Sequence, residues 1–352
     1  MGFSDEYAAI RQSAAWTRSS HMVCCRICGE GAYDLLERVC PAELYLRDGQ
    51  VLHTLFLDER ASFLADIYVC RDDEDFLLLS ETAPGVDPVA YLQDALIDGD
   101  EVEIQDLSAT HTVLSLNGPY AWEVLAELLG PDVISLPYMS FFVDDGLVCV
   151  RAGKTGEFGY DLILPRGESA EWEGKLRNLS DRFDLREADL AVLDQCALEN
   201  WFFNIRREGG CGVTPLELQL QWRISAKRSF VGSAAYSSWK TSGPQARVVT
   251  VTANQPLAIG VPVSLGGREI GSIINAGQSP LLGDWIGLAL VEIGLSHPGI
   301  PGLTANVAGH RTDLSAVSPP VLNNRSIFVS PQVHSYATRS EFEFPPLEKE
   351  QR

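Results

Sequence analysis

The sequence predicts an α+β protein in which two mixed lobes precede a β-rich C-terminal domain. Three observations lead there. A strand–helix–hairpin–helix order runs twice, offset by about a hundred residues, a weak sign of internal duplication. Past residue 245 the chain becomes a series of short apolar strands separated by glycine turns, as in a small antiparallel barrel or sandwich. A length of 352 residues exceeds what one ordinary compact core holds, so two or three domains are expected.

The elements follow in order. Residues 5–17 have the apolar spacing of a short amphipathic helix, and "MVCCRICG" has the density of a strand. "GAYDLLERVC" places apolar residues at helical spacing after a glycine. "QVLHTLFLDERASFLADIYVCRDDEDFLLLSE" reads as three strands with charged turns at Asp58–Arg60 and Asp72–Asp75. "DPVAYLQDALI" opens with Asp-Pro, a helix start. The second pass has the strand "HTVLSLNG" and the helix "PYAWEVLAELLG", opened by proline and closed by glycine. The strands "GLVCVRAG" and "YDLILP" and the helix "SAEWEGKLRNLSDRF" complete it. "SSWKTSGPQ" (237–245) reads as a linker. The expected boundaries are 1–107 and 108–236 for the lobes, 245–330 for the β domain, and 336–352 for a loose tail.

Composition narrows the partners. A formal net charge of −21, with no Lys/Arg-rich run, repels phosphate backbones and anionic lipid, so neither nucleic acid nor a membrane is expected. The acidic start carries no apolar segment of the signal-peptide kind. Cys24, Cys25 and Cys28 crowd one segment, but no second CxxC or HxxxH pair exists, so no metal site is expected. Eight cysteines without a disulfide framework fit a reducing cytoplasm.

Between the strands "GLVCVRAG" and "YDLILP" lies a charged, glycine-spaced turn, "KTGEFG". A two-residue turn would suffice for a hairpin, so the cluster asks for another reason. "KTGEFGYDLILP" resembles the TGE-x-G-[YF]-E hairpin of the glycine-cleavage T-protein (aminomethyltransferase) family. Further resemblances occur in the family's order: "SSHM", "FLADIYVCR" to IIDDLIVYR, "LNGPYAWEVL" to LQGPxA, and "LDQCALENWFF" to RDxLRLExG. "TPLELQLQW" resembles TPxEAxLxW, "SFVGSAA" resembles FIGREAL, and "GSIINAGQSPLLGDWIGLALV" resembles G-x-VTSGxxSPTLGxxIALAxV. Together they span about Tyr7 to Val321. The resemblance implies two interlocked α/β lobes with antiparallel sheets around a central pocket, plus a C-terminal barrel.

It also implies a tetrahydrofolate-dependent transfer of a methyl or aminomethyl group, or a demethylation, on a small molecule. A pterin presents an N–H beside an amino group, and one carboxylate accepts both. A second carboxylate near the reacting nitrogens manages protons or stabilises developing positive charge. Carried over by position, Asp66 and Glu81 are the catalytic candidates, with Ala65 where the family has a first aspartate. Glu157, Asp161, Glu199 and Lys154 are the cofactor-binding candidates. Leu193 and Ala197 stand where the family has arginines, which removes a bidentate partner for an anionic folate tail. These departures point away from glycine cleavage itself. Two alternatives stand beside the transferase: a folate-independent acid/base enzyme on the same scaffold, and a non-catalytic folate-binding protein. The second is weakened because "AKRSFVGSAA" lacks the cysteine of the K-x-C-[YFW]-x-G-[QE] signature of that branch.

Plainer structural readings accompany each residue. The apolar flanks "FLA" and "IYV" argue that Asp66 is buried, and buried carboxylates are rare without partners. Glu157 and Asp161 also suit turn chemistry, Glu81 a strand-end charge, and Lys154 an exposed pair with Glu157. His21 reads as a hydrogen-bonded core histidine.

Overall fold

A computed structural model describes residues 2–225 and 227–349. The first sheet has five strands in the order Val51–Leu57, Phe63–Asp72, Asp75–Thr82, Val23–Cys28 and Glu103–Asp106, all antiparallel. The second has six, in the order Arg186–Glu187, Ala15–Arg18, His111–Asn117, Gly159–Pro165, Leu147–Arg151 and Ser140–Asp144. Its only parallel pairing among the described residues joins Ala15–Arg18 to Arg186–Glu187.

The two sheets pack face to face. Leu77, Leu79, Cys70 and Tyr68 of the first meet Val113, Val148, Val150 and Ile163 of the second in one buried cluster. The outer face of the first sheet carries the helices Ala32–Val39 and Pro88–Asp94, through Leu35, Leu36, Val39 and Leu92 against Ile67, Val69 and Leu78. The outer face of the second carries Ala121–Leu129 and Ser169–Asn178, through Trp122, Leu125 and Leu176. Helix, sheet, sheet, helix is the layer order. A strand with both faces covered has no solvent side, which is why "FLLLS" is a continuous apolar run rather than an alternation. The same packing places Cys24 and Cys25, neighbours on one strand, in two different cores, so their sulfurs point to opposite faces.

The C-terminal strands close a six-stranded barrel in the order Ala246–Ala253, Trp285–Glu292, Arg268–Gln278, Pro262–Leu265, Leu303–Val307 and His310–Val317. The helix Leu190–Asn200 links barrel to lobes. A Cβ on Gly277 of the barrel would lie 2.2 Å from Gln195 Oε1, so the barrel approaches this helix closely.

Four expectations are corrected. The helix at the start ends early, at Phe3–Gln12, and Ala15–Arg18 is a strand that crosses into the second sheet, so the first lobe is not a closed 1–107 unit. Exchange of that strand is what interlocks the lobes. The 237–245 segment is mostly helix, Ser233–Ser242, anchored by Tyr236 in the core between the first sheet and the barrel. Glu103–Asp106 is an edge strand that the sequence reading missed. Finally, 336–349 is packed rather than loose. Tyr336 joins the second-lobe core with Phe344 against it, and Leu347 is buried. Residues 350–352 of the expected tail lie outside the described residues. No helix among the described residues is long and apolar enough to cross a membrane.

Candidate functional site

Asp66 and Glu81 are directly opposite each other in the antiparallel pair Phe63–Asp72 and Asp75–Thr82. Two like charges facing across a ladder repel, and both are buried, so the pair needs a cation between them. Lys154 supplies it: its Nζ lies 2.7 Å from Asp66 Oδ2 and 2.7 Å from Glu81 Oε1. This pairing replaces the expected Lys154–Glu157 pair. Asp66 Oδ1 also faces His53 Nε2 and accepts from Arg223 Nη1, each at 2.7 Å. Glu81 Oε2 accepts from Arg206 Nε at 3.3 Å, with His21 Nε2 at 3.8 Å.

These contacts set the protonation states. Burial alone would raise the Asp66 pKa, but His53, Lys154 and Arg223 outweigh it and hold it well below the usual carboxylate value. Glu81 is lowered for the same reason, with Lys154 and His21 overcoming burial. Burial would lower Lys154, yet the two carboxylates win and raise it. Burial drives His53 down to about 4, against the pull of Asp66, so the ring is neutral at neutral pH. An ionised carboxylate this firmly held is a fixed charge at neutral pH and a poor carrier of protons.

Asp161 differs. It sits opposite Ser115 on the neighbouring strand, and Ser115 Oγ donates to its Oδ1 at 2.5 Å. Ser19 Oγ lies 2.6 Å from Ser115 Oγ, extending the chain of hydroxyls. Among the described residues no cation touches Asp161, and burial lifts its pKa to about 6 despite Ser115, with Glu81 adding to the rise.

Asp161, Glu81 and Lys154 line one central cavity with Tyr68, Asn117 and His21. Leu193 and Ala197 form its apolar wall, and Arg206 is its guanidinium, already engaged with Asp194 and Glu81. The free space is only about 60 Å³, and Lys154, one of its lining residues, reaches past it with its ammonium to Asp66. Across Asp66 lies a second cavity of about 350 Å³, walled by Trp201, Phe202, Tyr138 and Trp222, with His53 and Arg223 at its base.

The remaining candidates face elsewhere. The resemblance places Asp66, Glu157 and Asp161 around one pocket; of these only Asp161 lines the central cavity, while Asp66 sits behind Lys154 and Glu157, like Glu199, faces elsewhere. The turn reverses at Gly156, at φ +81°, so Lys154 and Glu157 leave it in different directions. Glu157 accepts from the backbone N–H groups of Arg325 and Ser326 at 3.1 and 2.7 Å and pairs with Arg11 at 3.4 Å. Glu199 accepts from Tyr7 Oη, from Arg11 Nη2 at 2.5 Å and from Ser279 Oγ at 2.7 Å, tying the N-terminal helix to the barrel. The charged hairpin is thus a junction between two polar networks. Gly156→Ala would strain a positive φ and put a Cβ 2.6 Å from Asn200 and Asn324, so a loss of about 1–3 kcal/mol is expected, read from the urea midpoint.

Sequence reading missed Arg11, His53, Ser115, Arg206 and Arg223. Only one signal pointed toward some of them: a carboxylate inside an apolar strand must find cations, without saying where in the chain they come from.

Comparison with known proteins agrees with this architecture. The family model of the GCVT N-terminal domain matches residues 1–228, and that of the glycine cleavage T-protein C-terminal barrel domain matches residues 247–322. An aminomethyltransferase of Geobacillus thermodenitrificans is 29% identical over 333 residues, covering 90% of this chain and 89% of its own. One of Thermotoga sp. (strain RQ2) is 26% identical over 309 residues, covering 84% and 85%. The crystal structure of the glycine cleavage system aminomethyltransferase T from Bartonella henselae superposes with a TM-score of 0.82 at 25% identity, covering 92% of this chain and 90% of that one. With both domain models matched in order across two lobes and a barrel, the chain belongs to the glycine cleavage T-protein (aminomethyltransferase) family.

Proposed function

We propose that this protein transfers a one-carbon group, methyl or aminomethyl, between a small molecule and a reduced folate whose pterin head lies against Asp161. The observation that carries the reading is Asp161 itself. It is a buried carboxylate without a cationic partner among the described residues, oriented by Ser115 and open to the central cavity. Such a group gains most from a ligand that donates two N–H groups side by side. Bound reduced folate would supply the nitrogen that exchanges the one-carbon unit. Asp66 and Glu81 hold fixed negative charge beside it, where positive charge would develop. The aromatic cavity behind Asp66 has room for the small molecule, with neutral His53 at its base.

The donor set fits a pterin head but not an anionic tail. Leu193 and Ala197 offer no guanidinium, and Arg206 is committed to Asp194 and Glu81. Space is the second constraint. Small-molecule pockets usually measure roughly 300–1,000 Å³, well above the central cavity, so Lys154 must leave before a pterin enters. That plug also favours a second reading, a folate-independent enzyme in which Lys154 stays in place.

Calorimetry with tetrahydrofolate and its polyglutamate form separates the two. The expected result is weak binding with little gain from added glutamates. Asp161→Ala should weaken it roughly tenfold to a hundredfold, the equivalent of about 1.5–3 kcal/mol for a charge-assisted contact. Binding should also fall as pH drops through about 6, where Asp161 takes up a proton and loses an acceptor. Binding that strengthens with each glutamate would contradict the tail argument. Turnover of a small molecule with no folate binding would establish the second reading.

A further inference from the structure

We propose that a cleft between the N-terminal helix and the segment after the barrel is a binding site for a small oxyanion, a carboxylate or phosphate, held by Arg325 and Arg339. The cleft measures about 510 Å³ and shares no lining residue with the central cavity. Ala8 and Ala9 of the helix Phe3–Gln12 form one wall, and Tyr120 and Tyr336 contribute aromatic surface.

The two guanidiniums are arranged for a ligand. Arg339 sits over Tyr336, with its Cζ 3.6 Å from the ring centroid, and its Nη1 donates to the Tyr336 carbonyl at 2.6 Å. Arg325 stacks at 4.9 Å on Phe344. Stacking holds the planar fork in place and leaves its edge free to donate. Arg325 Nη1 is buried and finds no hydrogen-bond partner among the described residues. A buried N–H left without an acceptor is costly, and an incoming oxyanion satisfies it. Neither guanidinium has a carboxylate within ion-pair distance among the described residues. The third arginine of the cleft, Arg186, is neutralised by Asp184. Asp5 also lines the cleft and limits the negative charge it can take. In a chain of net charge −21, two uncompensated guanidiniums converging on one concavity run against the general field.

The site is joined to the hairpin. The Arg325 backbone N–H donates to Glu157 Oε1, in the same turn as Lys154. An oxyanion that fixes Arg325 therefore reinforces one anchor of that turn.

The test is calorimetry on the full chain at low ionic strength with inorganic phosphate and, separately, succinate. One-to-one binding of at least one is expected, together with a ligand-dependent rise in Tm. Phosphate alone, or succinate alone, supports the site and identifies its chemistry. Arg325→Gln and Arg339→Gln should each weaken binding at least tenfold, while Arg311→Gln, on the exposed barrel surface, should not. If Arg325→Gln does not fold, the exposed Arg339→Gln carries the comparison. No saturable binding of either anion, or equal affinity in the wild type and the Arg339→Gln variant, overturns the proposal.

Discussion

Replacing Arg11 with methionine is expected to cost the protein about 3–5 kcal/mol, the penalty for breaking a fully buried ion pair and stranding its partners. The Arg11 side chain is completely buried and serves three parts of the chain. It donates to the Thr155 carbonyl at 2.7 Å, pairs with Glu157 and Glu199, and donates to Asn324 Oδ1 at 3.1 Å. Without it, two buried carboxylates lose their cation. Glu157 already titrates high, because burial outweighs Arg11 and the Ser326 donors. A carboxylate with a raised native pKa destabilises the fold at high pH, and that cost falls as pH drops toward the unfolded value. The Arg11→Met deficit should therefore be largest near neutrality and shrink as pH falls toward the ordinary carboxylate value. Urea titrations across that range measure it. A deficit under 1 kcal/mol, or one independent of pH, would show that water replaces the guanidinium. Glu157→Gln in the same background should restore part of the loss.

Lys154→Ala is expected to act on stability and on binding in opposite directions. Asp66 and Glu81 have depressed pKa values, so their contribution is present above the unfolded carboxylate range and is lost as pH falls through their native values. Removing the cation they share should cost about 3 kcal/mol at neutral pH, with the gap to wild type closing below about pH 4. Arg223 and Arg206 remain to hold the two carboxylates, which keeps the variant folded. The central cavity, meanwhile, opens. If wild type binds a pterin only in the fraction of molecules whose Lys154 has swung away, its apparent affinity is reduced by that fraction. Calorimetry should then show tetrahydrofolate binding at least tenfold tighter to Lys154→Ala. Unchanged affinity would mean that Lys154 does not gate the cavity.

Local patterns were legible because their physics is local. The three strands of 51–82 fall where charged turns separate apolar runs, and the Asp73 turn sets a register that puts Asp66 opposite Glu81. The glycine-spaced hairpin, the barrel strands and the Pro88–Asp94 helix with its Asp87 cap were equally readable. Burial of Asp66 followed from its apolar flanks. The partners of that burial did not. His53 lies 13 residues from Asp66 and Arg223 lies 157 away. Nothing in either local pattern announces the other.

Sequence alone therefore determined most of the elements and their order, the family's motifs and the loss of arginines at Leu193 and Ala197, since each depends on neighbouring residues or on composition. Tertiary structure decided the rest. It crossed Ala15–Arg18 into the second sheet, turned Glu157 and Glu199 toward Arg11, and drew Lys154 between Asp66 and Glu81. The reason is range. Turns and hairpin registers are fixed within a few residues, whereas a buried charge takes whichever counter-ion the packed chain brings within about 3–4 Å, however distant in sequence.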